Sequence, residues 1–158
     1  MIEYQINPAL MGGVVKEISK EGIVKINLNG RLGVIKIPRA LIIDSVKLEP
    51  GHQLRFYFSY IQVVENPYEY DSSEMNPDCE MNPTLLSGKI TIVNDTAIEA
   101  EIMDGLGSVA VPRRWVFTPL ALEAGQDCEF YLSCMQVVGK QELPEESIQN
   151  LTKRRQIS

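Results

Sequence analysis

The sequence predicts an all-β protein that contains two small β-barrels in tandem, and three observations support this prediction. Apolar and polar residues alternate with a period of two, as in GIVKINLNG (22–30) and QLRFYFSY (53–60), which is typical of half-buried strands. Turn pairs such as Asn29-Gly30 and Pro50-Gly51 separate these segments. The chain also repeats itself after 74 positions, the offset between Gly33 and Gly107.

The repeat rests on anchor residues that recur in the same order. Pro38-Arg39 recurs as Pro112-Arg113, and Gln-Val-Val closes both copies at 62–64 and 136–138. Upstream, NPALMGG from Asn7 resembles NPTLLSG from Asn82 at an offset of 75. We therefore define a first repeat (6–64) and a second repeat (81–138), and we expect the two to fold alike.

Each repeat contains the same series of predicted elements. In the first repeat a strand around Gly12–Val15 is followed by GIVKINLNG, by GVIKIP (33–38) and by the strand from 53 onward. Only RALIID (39–44) and its counterpart RRWVFT (113–118) are suited to a helical turn. Four or five short strands in so small a unit favour a barrel, because closure removes exposed sheet edges.

Two further segments flank the second repeat. Residues 65–80, ENPYEYDSSEMNPDCE, hold six acidic residues, two prolines and no base, which predicts a solvated linker. The alternative is an acidic strap that lies on a basic surface elsewhere. Residues 139–158 are predicted to form a tail, with a short helix that starts near Pro144.

Composition predicts a protein of the cytoplasm with no membrane contact. Hydrophobic residues make up 44% of the 158 residues, but no apolar run approaches the about 18 residues that span a bilayer. The start of the chain, MIEYQINPAL, lacks the basic and apolar regions of a secretory signal. Cys79, Cys128 and Cys134 are odd in number and have no CxxC spacing, which favours reduced thiols.

No residue pattern predicts an enzyme, a metal site or a cofactor. The single histidine, His52, follows a turn glycine, and its counterpart in the second repeat is Gln126. Cys128 and Cys134 stand where the first repeat has Leu54 and Tyr60, so we expect packing positions. Trp115 replaces Leu41, which favours a hydrophobic residue in the core or at its rim over a platform for base stacking.

The first repeat resembles the OB-fold domains of bacterial translation initiation factor one and the RNA-binding repeats of the largest small-subunit ribosomal protein. The resemblance rests on Gly12-Gly13-Val14-Val15, Val24-x-Ile26-x-Leu28-x-Gly30, Ile37 and Leu48-x-Pro50-Gly51. It covers most of the first repeat and, more loosely, the second. It implies OB-like barrels and a role in binding single-stranded RNA.

Other barrel types share parts of this pattern. Related RNA-binding domains display aromatic and basic residues on the second and third strands. Here Lys25, Asn27 and Lys36 take the outward positions of those strands, and none of the three is aromatic. A swapped-hairpin barrel of the AbrB transcription-factor type also uses an Ile-Pro-Arg segment, as at 37–39, followed by Leu-x-Pro-Gly, as at 48–51. A barrel that binds cyclic dinucleotides needs a fuller arginine motif than Arg113-Arg114.

Charge differs sharply between the repeats. The first repeat holds eight bases and four acids, giving +4, and the second holds three bases and seven acids, giving −4. The alternation places basic residues of the first repeat on the outward face of its strands, where the second repeat is acidic or neutral. The aligned outward positions are Lys25 and Glu99, Lys36 and Ala110, Arg55 and Glu129, and Tyr57 and Tyr131.

These charges predict a non-enzymatic binding or assembly protein that uses its oppositely charged faces for contacts with a protein partner or with itself. The alternative is a protein that binds single-stranded nucleic acid, mainly through the first repeat. The candidate basic surface comprises Lys25, Arg31, Lys36, Arg39, Arg55 and Tyr57. The candidate acidic face comprises Glu99, Glu101, Glu129 and Tyr131.

Overall fold

The structure is a computed structural model that describes residues 6–43, 47–65, 82–118 and 121–140. Within these ranges the chain forms twelve β-strands. They are β1 (Ala9–Ile18), β2 (Ile23–Leu28), β3 (Val34–Pro38), β4 (Ile42–Ile43), β5 (His52–Phe58), β6 (Ile61–Val64), β7 (Thr84–Val93), β8 (Ala97–Ile102), β9 (Ser108–Pro112), β10 (Val116–Phe117), β11 (Asp127–Leu132) and β12 (Met135–Lys140).

The prediction of an all-β protein is confirmed, and the twelve strands belong to one sheet. Their order in the sheet is β10-β6-β11-β7-β8-β9-β3-β2-β1-β5-β12-β4. The predicted helical turns are the short 3-10 helices Arg39–Leu41 and Arg113–Trp115. In the part of the chain that the structure describes, no helix has the length and apolarity needed to cross a membrane.

The last strand of each repeat pairs with strands of the other repeat. Strand β6, which ends the first repeat, runs antiparallel to β11 and parallel to β10. Strand β12, which ends the second repeat, pairs with β5 and β4 in the same way. The expected arrangement of two tandem barrels is therefore not confirmed, because each repeat completes its pairing only with the final strand of the other.

Two further pairings join the repeats directly. Strands β3 and β9 run antiparallel, with Ile35 opposite Val109. Strands β5 and β11 meet at Phe58 and Leu132. Together these pairings link eight strands into a closed circuit, in the order β3-β2-β1-β5-β11-β7-β8-β9. We call the β3–β9 pairing the seam.

The contacts between the repeats follow an approximate two-fold symmetry. The backbone N–H of Tyr57 donates to Ser133 Oγ at 2.8 Å, and the N–H of Tyr131 donates to Ser59 Oγ at the same distance. Both serines are buried. Because each contact is matched 74 positions along the chain, the approximate axis passes between the two repeats, through the Ile35–Val109 pair.

A single hydrophobic core lies inside this sheet and draws residues from both repeats. Its largest fully buried side chains include Phe56 and Phe58 from β5 and Phe130 from β11. Phe58 and Phe130 contact edge to face with ring centroids 5.8 Å apart. Because the core is shared, the burial of apolar area stabilises both repeats together.

The predicted linker and tail fall mostly outside the described residues. Of the linker 65–80 only Glu65 is described, and of the tail 139–158 only residues 139 and 140. These two residues belong to β12, which runs past the predicted end of the second repeat at Val138.

Two glycines allow the backbones of β3 and β9 to approach at the seam. Gly33 has φ +103° and Gly107 has φ +109°, conformations that L-amino acids rarely adopt. A Cβ atom on Gly33 would collide with the carbonyl oxygen of Ala110, and one on Gly107 with that of Lys36. The anchor that the repeat keeps at both positions is thus required by a backbone contact between the repeats.

We expect Gly33→Ala to lower the free energy of unfolding by about 2 kcal/mol or more, because it combines positive φ with a backbone collision. The matched control is Gly22→Ala, where φ is also positive (+82°) but no atom lies within 4 Å of the added Cβ. That control should lose only about 1 kcal/mol. Urea unfolding of both variants measures the difference, and equal losses would contradict the role of the seam contact.

Candidate interaction surface

The strands on either side of the seam present one continuous outward surface. On β2, β3, β9 and β8 alternate side chains are buried, among them Ile26, Ile35, Val109 and Ala100. The intervening residues therefore face outward. We call eight of them, two from each strand, the seam surface, which comprises Lys25, Asn27, Val34, Lys36, Ser108, Ala110, Glu99 and Glu101.

The charged row of the seam surface crosses all four strands. Lys25 lies opposite Lys36, Lys36 opposite Ser108, and Ser108 opposite Glu101. Directly opposite residues in antiparallel strands have Cβ atoms about 5 Å apart. The row thus changes from two cations in the first repeat to an anion in the second within four strands.

A second row, which we call the apolar row, runs beside the charged row and is displaced from it by two residues along each strand. Asn27 lies opposite Val34, Val34 opposite Ala110, and Ala110 opposite Glu99. Val34, Ala110 and Glu99 are half-buried, and Asn27 is exposed. The middle of the seam surface is therefore apolar in this row, with polar groups only at its two ends.

The charges of the seam surface are available for contact with another molecule. Lys25 has a carboxylate neighbour in its own repeat, since its Nζ lies 3.9 Å from Glu17 Oε1 at an accessible site. The side chains of Lys36, Glu99 and Glu101 make no hydrogen bond or ion pair with any residue that the structure describes. Cations on β2 and β3 and anions on β8 thus give the surface two oppositely charged sides.

Arg55 and Tyr57 do not join the lysines in one patch. Both lie on β5, which is separated from β2 by β1. Arg55 is exposed and lies opposite Gln136 of β12. Tyr57 is half-buried beside the contact with Ser133. The predicted basic surface is therefore divided, with only Lys25 and Lys36 adjacent.

The two other arginines of the predicted basic surface lie in turns. Arg31 ends the 3-10 helix after β2, with φ +58°, and is exposed. Arg39 is half-buried, and its Nη1 donates to the carbonyl oxygen of Ile42 at 3.2 Å. Its counterpart Arg113 also donates to a backbone carbonyl, that of Asn94, at 3.1 Å. The side chain of Arg39 thus stabilises the local backbone through this hydrogen bond.

The prediction that Glu129 belongs to an exposed acidic face is wrong. Glu129 is only 5% exposed, and its Oε1 accepts a hydrogen bond from Gln62 Nε2 at 2.8 Å. The reason is the strand exchange, which places Gln62 of β6 directly beside Glu129 of β11. Gln62 Oε1 is itself buried without a hydrogen-bond partner among the described residues.

Of the remaining acidic-face residues, Glu99 and Glu101 lie on the seam surface and Tyr131 does not. Tyr131 is half-buried on β11, and its N–H contacts Ser59. The acidic side of the molecule extends instead toward a cleft of about 290 Å³. Its charged lining residues are Lys89, Glu101, Asp104 and Asp127. Among the described residues, no group of three or more His, Cys, Asp or Glu side chains is placed to hold a metal ion.

Trp115 belongs to an aromatic cluster at the strand exchange. Its ring stacks on Tyr60 with centroids 3.9 Å apart, and its Nε1 donates to the carbonyl oxygen of Ser59 at 2.9 Å. Tyr60 also stacks on Phe117 at 4.6 Å. Trp115 is half-buried against the core, as expected for a residue at its rim. Tyr60 aligns with Cys134, where we expect a packing position, but Tyr60 is 38% exposed, whereas Cys134 is buried.

His52 is engaged in the turn that precedes β5. Its Nδ1 accepts a hydrogen bond from the backbone N–H of Glu49 at 2.9 Å. The ring is half-buried at the start of the strand. The histidine thus stabilises a turn, and Gln126 does the same in the second repeat, where its Oε1 accepts from the N–H of Glu123.

The prediction that Cys128 and Cys134 are packing residues is confirmed, because both are buried in the core. The pKa of the Cys128 thiol is raised to about 12. Burial is the main cause, and the neighbouring carboxylates of Asp127 and Glu129 contribute to the same shift. The thiol is therefore protonated at neutral pH and a poor nucleophile. Cys79 lies outside the described residues.

Cys128 should make stability fall as pH rises above about 9. Between pH 9 and 12 the unfolded chain releases this proton while the folded chain retains it, so the free energy of unfolding declines with pH. We expect Cys128→Leu, which copies Leu54 of the first repeat, to show a shallower decline. Urea unfolding at pH 8, 9 and 10 measures both slopes. Parallel curves for the two proteins would contradict a buried, protonated thiol.

No protein-family model matches the chain, and no curated protein shows significant sequence similarity to it. The resemblance to OB-fold domains therefore stays a prediction, and any function has to be argued from the surface itself.

Proposed function

We propose that this chain is a non-enzymatic binding or assembly protein that contacts a protein partner through the seam surface. The observation that carries the proposal is the arrangement of its two rows, in which an apolar centre of Val34 and Ala110 lies beside unpaired charges of both signs. Protein–protein interfaces combine a buried apolar centre with a polar rim. Charges of both signs on one surface favour a partner with complementary charge and exclude partners of uniform sign.

A second candidate function is the binding of single-stranded nucleic acid. It is favoured by one observation, the placement of Lys25 directly opposite Lys36, since adjacent cations attract phosphate. The seam surface carries no aromatic ring on which bases stack. The anions Glu99 and Glu101 lie on the same surface and repel phosphate. We therefore place this candidate second.

The description of each repeat as a small OB-like barrel is likewise a proposal, as is a cytoplasmic site of action. The period-two strands and the recurring turn glycines support the first. The reduced, buried thiols of Cys128 and Cys134 support the second, because the cytoplasm keeps cysteines reduced.

A photo-crosslinking amino acid placed at Val34 tests the interface directly. In an extract of the native host we expect a protease-sensitive adduct from this position, because the partner covers the apolar row. The matched control is Gln53, which is exposed on β5 away from the seam. Lys36→Glu should weaken the adduct about tenfold, because it reverses a charge beside the probe, whereas Arg55→Glu should not.

The outcomes of this experiment separate the two candidate functions. An adduct that nuclease removes, rather than protease, would promote the nucleic-acid function. Equal labelling from Val34 and Gln53 would show that the seam surface is not an interface.

Fluorescence anisotropy with a labelled mixed-sequence single-stranded RNA gives an independent measurement. We expect no saturable binding at physiological salt, because two adjacent lysines offset by nearby carboxylates provide few phosphate contacts. Strong binding that weakens steeply with salt and is lost in Lys25→Glu/Lys36→Glu/Arg55→Glu would contradict the proposed function. Arg55→Glu alone serves as the control, because Arg55 lies apart from the lysine pair.

A further inference from the structure

We propose that the partner is a second copy of this chain, packed face to face through the seam surface about a two-fold axis parallel to β3 and β9. This inference rests on the proposed function and names its partner. It follows from the order of residues along the two rows. When the surface is rotated by 180° about this axis, each row faces its own image with groups of opposite charge or complementary size aligned. A two-fold axis makes every contact occur twice, so each complementary pair counts double.

The geometry of the operation determines which strands meet. A rotation about an axis along the seam carries β3 of one protomer over β9 of the other, and β2 over β8. The rows stay in register, because the direction along the strands is unchanged. Sheets that pack face to face lie about 10 Å apart. The outer face of the closed circuit is convex, so this spacing applies beside the axis at β3 and β9, and only long side chains such as Lys25 and Glu101 reach across at β2 and β8.

The charged row then pairs opposite charges. Lys25 lies over the partner's Glu101, and Glu101 lies over the partner's Lys25. Lys36 lies over the partner's Ser108, within reach of the same carboxylate. The charges of this row thus each face a group of opposite sign or a hydroxyl.

The residues of the apolar row also meet complementary residues of the partner. Val34 lies over the partner's Ala110, which places a large side chain against a small one at the centre of the interface. Asn27 lies over the partner's Glu99, so that its amide donates to a carboxylate. The contact thereby covers the half-buried apolar groups beside the axis.

The other two-fold arrangement of the same surfaces is disfavoured. An axis perpendicular to the strands would stack β8 of one protomer on β8 of the other. Glu99 would then lie over the partner's Glu101, and Lys25 would lie close to the partner's Lys25. Like-charge contacts of this kind oppose association at an interface. The residue order therefore selects the axis along the seam.

Sedimentation velocity of the purified full chain over a wide concentration range tests the proposal. We expect a reversible monomer–dimer equilibrium that ends at the dimer, because an isologous contact is closed. Lys25→Glu should raise the dimer Kd about a hundredfold, since it creates two like-charge contacts. Lys25→Glu/Glu101→Lys should restore it, because both contacts are exchanged in every chain. Arg55→Glu, an equal charge reversal on β5, should leave the Kd unchanged.

Each contrary outcome has a defined meaning. A monomer at all concentrations and at low salt would overturn the dimer, while a protein adduct from Val34 would leave the proposed function standing. Oligomers that grow without limit would replace the closed contact with a head-to-tail one. A charge exchange that fails to restore the dimer, in a variant whose urea midpoint matches the native protein, would show that Lys25 and Glu101 do not meet.

Discussion

The exchange of β6 and β12 between the repeats is the constraint on which the rest of the structure depends. Strand β5 is completed by β12 and strand β11 by β6, so neither repeat has a full set of hydrogen-bonded neighbours alone. The exchange brings Phe58 and Phe130 into one core and aligns the buried serines that hold the two crossing points. It also closes one side of the strand circuit, and β3 meets β9 on the other side.

Because of the seam, the opposite charges of the two repeats lie on one surface. Lys25 and Lys36 belong to the first repeat and Glu99 and Glu101 to the second, far apart along the chain. Pairing of β3 with β9 places them on four neighbouring strands. The charge difference between the repeats therefore lies across four neighbouring strands, about 15 Å, rather than between two separate bodies. This proximity is why the surface suits a contact of mixed sign.

The sequence predicted the main strands of each repeat, the helical turns and the packing role of Cys128 and Cys134, because all of these follow from local periodicity and from comparison of aligned positions. Each repeat has six strands rather than the predicted four or five, because β4 and β10 are only two residues long and too short to show a period of two. It did not predict which final strand pairs with which repeat. Both final strands contain Gln-Val-Val, and β5 and β11 share Phe-Tyr, so pairing within a repeat and pairing between repeats bury similar side chains. The misplacement of Glu129 on an exposed face followed from this ambiguity, since only the exchange brings Gln62 to it.

The approximate symmetry of the backbone is not a symmetry of the side chains, and this has an electrical consequence. An assembly of two identical chains about a strict two-fold axis has no dipole moment perpendicular to that axis, because each charge is cancelled by its own image. Here the two halves are covalently one chain, and Lys25 is matched by Glu99 rather than by another lysine. The molecule therefore carries a transverse dipole that a true homodimer of repeats is forbidden to have. Such a field orients an approaching charged molecule before any contact forms.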